Sequence, residues 1–106
     1  MSISRLSPLM SISGVFYTPL RFEEIPVPDV GVTSLILNGD ELIALVGVKG
    51  KGIYFRMDGG VPSASAGHYF GVGSFMTLGV PSLQGLRVVG NVAEEGVARI
   101  SISYEK

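Results

Sequence analysis

Apolar residues along this chain come in short runs of β-branched and aromatic type, broken roughly every 8–12 positions by turn residues. The clearest run closes the sequence. From Val97 to Tyr104, Ala98, Ile100, Ile102 and Tyr104 alternate with Arg99, Ser101 and Ser103, which predicts an antiparallel strand with one face in the core and one in water. Gly52–Met57 predicts another strand, with Ile53, Phe55 and Met57 on one face. Thr33–Leu37 and Asp40–Val46 flank Asn38-Gly39, a dipeptide suited to a type I′ turn, so a β-hairpin is expected there. A short helix capped by Asp40 and ended by Gly47 is the competing reading of the second run. Further short strands are expected at 67–70, 75–78 and 84–89, with Gly71–Ser74 as a turn between the first two. No stretch of a dozen residues has helical periodicity. The pattern predicts an all-β fold: a single antiparallel β-sandwich or jelly-roll-like barrel of about seven or eight strands.

The first 30 residues read differently. Serines and Pro8 interrupt isolated apolar residues in 1–14, which suggests an extended arm with Ile3, Leu6, Leu9 and Ile12 as the residues that dock it. Pro26 and Pro28 make 22–30 an extended loop or edge strand, because proline cannot donate to a ladder. The expected organisation is therefore an N-terminal arm or edge segment over 1–30 and a β-sandwich domain over 31–106. Neither an internal repeat nor a linker divides the chain.

Composition narrows the chemistry. The chain has 106 residues, 8 Lys+Arg against 9 Asp+Glu, and only 16% charged residues. That balance lacks the basic footprint of a dedicated nucleic-acid binder, and a 46% hydrophobic content excludes intrinsic disorder. Without cysteine there are no disulfides, thiolate metal sites or cysteine nucleophiles. The N-terminal stretch lacks the unbroken apolar run of about 7–15 residues that a secretory signal needs. No segment reaches the roughly 20 apolar residues of a membrane-crossing helix, and synthesis in a reducing cytoplasm is the expectation. A mean hydropathy of +0.45 in so small a domain predicts exposed apolar surface, and hence contact with copies of itself or with a larger assembly.

Each candidate site has a plainer structural reading. His68 is the only imidazole, and a Ser-His-Asp set with Asp58 and Ser63 or Ser65 can be written down. No nucleophile-elbow motif accompanies it, so a structural or strand-end position is expected and no catalytic residue is assigned. Asp58-Gly59-Gly60 offers one carboxylate where a calcium loop needs several; Asp58 is expected to head a tight turn instead. Neither metal nor cofactor is assigned. Gly47–Gly52 and Gly71–Ser74 miss the phosphate-loop pattern and are read as hairpin turns, with Lys49 and Lys51 as isolated charges. Glu23-Glu24 and Glu94-Glu95 are read as solvated loop charges. The absence of Trp weakens a sugar-binding reading, and the Phe and Tyr residues are expected in the core or an interface.

The stretch Ile53–Tyr69 contains Arg56, Asp58, Gly59, Pro62, Ser63, Ala64, Ser65 and Gly67 in the order R-x-D-G-x-x-P-S-A-S-x-G. It resembles a pattern that recurs in small proteins from the structural-gene regions of tailed bacteriophages. Leu86-Arg87-Val88-Val89 and Ile102-Ser103-Tyr104 are similar to the later strands of that pattern. Residues 42–104 carry the resemblance; the usual Thr is Ser63 here, and Gly60 is an additional glycine. Asp58, Gly59, Pro62 and Gly67 form its structural turn motif. The resemblance implies a virion component made in the host cytoplasm, above all a capsid decoration or cement protein. Its implied partners are the major capsid protein and copies of itself, with no nucleic acid and no membrane. The D-G-x-x-P core also occurs in sandwich domains attached to chitin- and hexosamine-degrading enzymes. A carbohydrate-binding or adhesin-like module is therefore the alternative, and an exposed row of tyrosines would favour it.

Overall fold

The computed structural model describes residues 17–106. Its elements are β1 (Pro19–Val27), β2 (Thr33–Ser34), β3 (Ile43–Lys49), β4 (Ile53–Arg56), β5 (His68–Phe70), β6 (Phe75–Gly79), α1 (Val80–Gly85), β7 (Arg87–Gly90) and β8 (Ala98–Glu105). The strands form two four-stranded antiparallel sheets, a first with order β1-β8-β3-β6 and a second with order β2-β7-β4-β5. β1 pairs with β8, β2 with β7, β3 with β6 and β4 with β5. The first half of the described chain thus lies antiparallel to the second, like one long hairpin rolled up so that its strand pairs alternate between two sheets. That topology is a jelly roll, the more specific of the two architectures expected.

Period-two alternation builds the core. Ala44, Val46 and Val48 of β3, and Ala98, Ile100, Ile102 and Tyr104 of β8, point inward from the first sheet. Ile53 and Phe55 of β4 and Val88 of β7 meet them from the second. Met57 lies beyond the end of β4 and is exposed, so only two of the three residues expected on that face are in the core. The ring of Phe55 meets that of Phe70 edge-on, with centroids 4.9 Å apart.

Four expectations are corrected. Thr33–Leu37 and Asp40–Val46 do not form a hairpin: β2 pairs with β7 in the second sheet, and β3 pairs with β6 and β8 in the first. Residues 35–42 cross between the sheets, with Leu35 and Leu37 packed against the core. The Glu41 carboxylate holds that crossing by accepting the Asn38 and Gly39 amides. Gly39 does take positive φ (103°), but at a bend and not in a hairpin turn, so only the glycine's conformation was legible. The glycine segments 47–52 and 71–74 likewise carry the chain from one sheet to the other and are not hairpin turns.

The run 84–89 is strand only from Arg87, because α1 occupies Val80–Gly85. Pro81 starts this helix and Leu83 anchors it in the core, but so short a helix leaves no periodic signature. Lastly, a domain boundary after residue 30 would cut off β1. That strand runs along β8 at the sheet edge, where Pro26 is tolerated, and ends on the buried Val27. Ile3, Leu6, Leu9 and Ile12 lie outside the described residues.

Candidate functional site

The motif loop joins β4 to β5 and is built from its own side chains. Gly59 takes φ +81°, and the Gly60 amide donates to Asp58 Oδ1 over 3.0 Å, the Asx-type turn that Asp58 was expected to head. Arg56 reaches both Asp58 oxygens at 3.0 and 2.6 Å, with its guanidinium over Gly60. The Arg56 hydrogen bond, with the Gly60 amide behind it, holds the Asp58 carboxyl down at about 2. Pro62 is buried, Ser63 Oγ accepts from the Ala66 amide, and Gly67 packs between the Phe55 and Ser63 carbonyls. The loop also docks on α1: the Gly59 amide donates to the Gly85 carbonyl over 2.9 Å. His68 begins β5, exposed, with its ring 5.3 Å from that of Phe55. Asp58 is engaged by Arg56, and Ser63 Oγ lies 3.2 Å from Ser65 Oγ; no hydrogen bond links His68 to any of these among the described residues.

A second constellation was not legible as a unit. Lys51 is buried, and its ammonium donates to Asp29 at 2.8 Å and to the Glu94 carbonyl at 2.9 Å. Glu94 accepts from the Tyr69 hydroxyl (2.6 Å), the Gly52 amide (2.8 Å) and Asn91 Nδ2 (3.0 Å). Those bonds, Tyr69 foremost, hold the Glu94 carboxyl below its ordinary range, while Glu94 pushes the Tyr69 phenol up. Glu94 is therefore a structural acceptor and not simply a solvated charge, and Lys51 is a buried, paired cation and not an isolated charge. Only the glycines around Lys51 hint at such close packing in the sequence. Glu23 and Glu24 lie on β1, not in a loop, and Glu24 pairs with Lys49.

Beside this network is a cleft of about 300 Å³. Its walls include Asp29, Tyr54, Pro62, Ser63, Asn91 and Val92. Tyr54 and Tyr69 are paired neighbours on the outer face of the second sheet, with ring centroids 5.5 Å apart.

The outer face of the first sheet has a different character. Register aligns Phe22, Ser103, Leu45 and Thr77 in one row across β1-β8-β3-β6, and Glu24, Ser101, Gly47 and Phe75 in the next. Phe22 and Phe75 are 61% and 65% exposed. They stand on opposite edge strands, three strand spacings (about 14 Å) apart across the sheet and one row apart along it, with Leu45, Gly47, Ser101 and Ser103 between them. The Phe75 ring lies over Gly47, where a Cβ would come within 2.9 Å of it. Nothing among the described residues covers this face.

No family model, curated protein or solved structure matches this chain.

Proposed function

We propose that this protein is a structural component of a tailed-bacteriophage virion, a capsid decoration protein that binds the assembled shell. The observation carrying the reading is the outer face of the first sheet, which none of the described residues covers and where two exposed phenylalanines frame a floor of Ser101, Ser103, Gly47 and Leu45. Single exposed apolar residues are ordinary, but two large rings exposed on one sheet face, with Leu45 between them, mark a surface suited to a partner. The resemblance of 56–67 to the phage pattern supplies the kind of partner. A protein that binds only the assembled shell stabilises it by its binding free energy, repeated at every copy. The major capsid protein is the partner, with further copies of this chain around it, and the virion is the location.

The test is co-sedimentation of the full chain with intact shells of the cognate major capsid protein. Saturable binding is expected, and it should fall at least tenfold in a Phe22→Ser/Phe75→Ser variant that keeps the wild-type circular dichroism spectrum. Absence of shell binding, or undiminished binding by that variant, overturns the reading.

A carbohydrate-binding module is the second reading. The Tyr54–Tyr69 pair on the opposite sheet favours it, because aromatic rings on a sheet face are the usual platform for the C–H faces of sugars. Retention of the full chain on immobilised sugars, with no shell binding, would select this reading over the first.

A further inference from the structure

We infer that the cleft between the 57–67 loop and the turn after β7 is a binding site for one ring of a neutral sugar. The inference rests on the carbohydrate-binding reading and supplies its site and ligand class; a decoration protein could carry such a site on the sheet turned away from the shell.

Four observations converge. The volume, about 300 Å³, is at the low end of the range for small-molecule sites and suits a single ring better than an extended cofactor. The walls combine apolar groups (Tyr54, Pro62, Val92) with a few polar ones (Asp29, Ser63, Asn91), the mixture that fixes the orientation of a polyol while burying its C–H face. The polar groups are pre-set. The buried Lys51 holds Asp29 through two oxygens, and Glu94 and the Ala93 amide hold the side chain of Asn91, so little ordering accompanies binding. Charge then selects the class of ligand. Asp29 is neutralised from behind by Lys51, yet its side chain keeps 31% exposure, enough to accept hydrogen bonds from hydroxyl groups. With its charge already balanced by Lys51, this carboxylate offers an anion no attraction and a metal ion little pull. A neutral, hydroxyl-rich ring is the class that remains.

Wild-type protein labelled with nitrogen-15 is titrated with the methyl glycosides of glucose, galactose, mannose and N-acetylglucosamine, and separately with sulfate and calcium. At least one glycoside is expected to give saturable shifts centred on the amides of Asp29, Tyr54, Ser63 and Asn91. Val92→Trp and Ala64→Trp fill the cleft from exposed positions outside the ion-pair network and should each weaken binding at least tenfold without altering the rest of the spectrum. Glycoside binding undiminished in both variants overturns the site while leaving the carbohydrate reading in place. Silence from all four glycosides overturns the reading and the site together. Saturable shifts with sulfate or calcium and none with sugars overturn the ligand class.

Discussion

Glu41 has almost no exposure, yet it carries a charge at the point where the chain crosses between sheets. Burial alone would raise its pKa, but the Asn38 and Gly39 amides and the Arg21 guanidinium at 2.7 Å outweigh burial and bring it to about 2. The folded protein therefore binds this proton more weakly than the unfolded chain does. The resulting stability is complete above the ordinary value of 4.5 and drains away as pH falls toward about 2. Glu41→Ala should cost about 2–3 kcal/mol in urea unfolding at pH 7, as expected for charged hydrogen bonds, and should flatten the acid limb of the stability profile. The Lys51–Asp29 pair behaves asymmetrically, because its ammonium is buried while the carboxylate is partly in water. Asp29→Ala strands an interior cation and should cost about 3–5 kcal/mol, whereas Lys51→Met leaves a carboxylate that water can reach and should cost less. Equal losses for the two variants in urea titrations would contradict this account.

Among the elements, α1 and the motif loop hold each other. Gly85 sits so close to the loop that a Cβ would lie 2.1 Å from the Met57 carbonyl, a contact only a backbone shift can relieve. Gly73 also resists substitution, but only through its φ of 89°, since no atom lies within 4 Å of its would-be Cβ. Gly85→Ala should therefore cost more than Gly73→Ala, with the latter near the roughly 1–2 kcal/mol of a left-handed backbone. Thermal melts of the two variants check the order. The loop residues Asp58, Gly59, Pro62 and Gly67 were legible because turn chemistry is local. The helix was not, because its stability comes from Leu83 in the core and from the loop, neither of which shows in a six-residue window.

Over the whole molecule, the jelly roll places partners far apart in sequence: Pro19 lies opposite Glu105, and Thr33 opposite Val88. Such pairings require long loops to close before contacts form, so refolding should occur in milliseconds to seconds, as stopped-flow tyrosine fluorescence would measure. Relaxation in microseconds would contradict it. Rolling the chain also gives two unlike outer faces, one with two exposed phenylalanines on the first sheet and one with the Tyr54 cleft on the second. Substitutions on one should leave the other's binding unchanged, since the core separates them.

By itself the sequence determined the all-β class, the inward parity of β4 and β8, and the turn at Asp58-Gly59, because period-two alternation and turn chemistry act over a few residues. It also signalled an apolar excess that the core does not absorb. Only the tertiary structure decided that Thr33 and Val46 belong to different sheets, that Lys51 is an interior cation bonded to Asp29 and the Glu94 carbonyl, and that Tyr54 shares a cleft with Asp29 and Asn91. Each of these depends on pairing and burial between distant segments, which a local pattern does not encode.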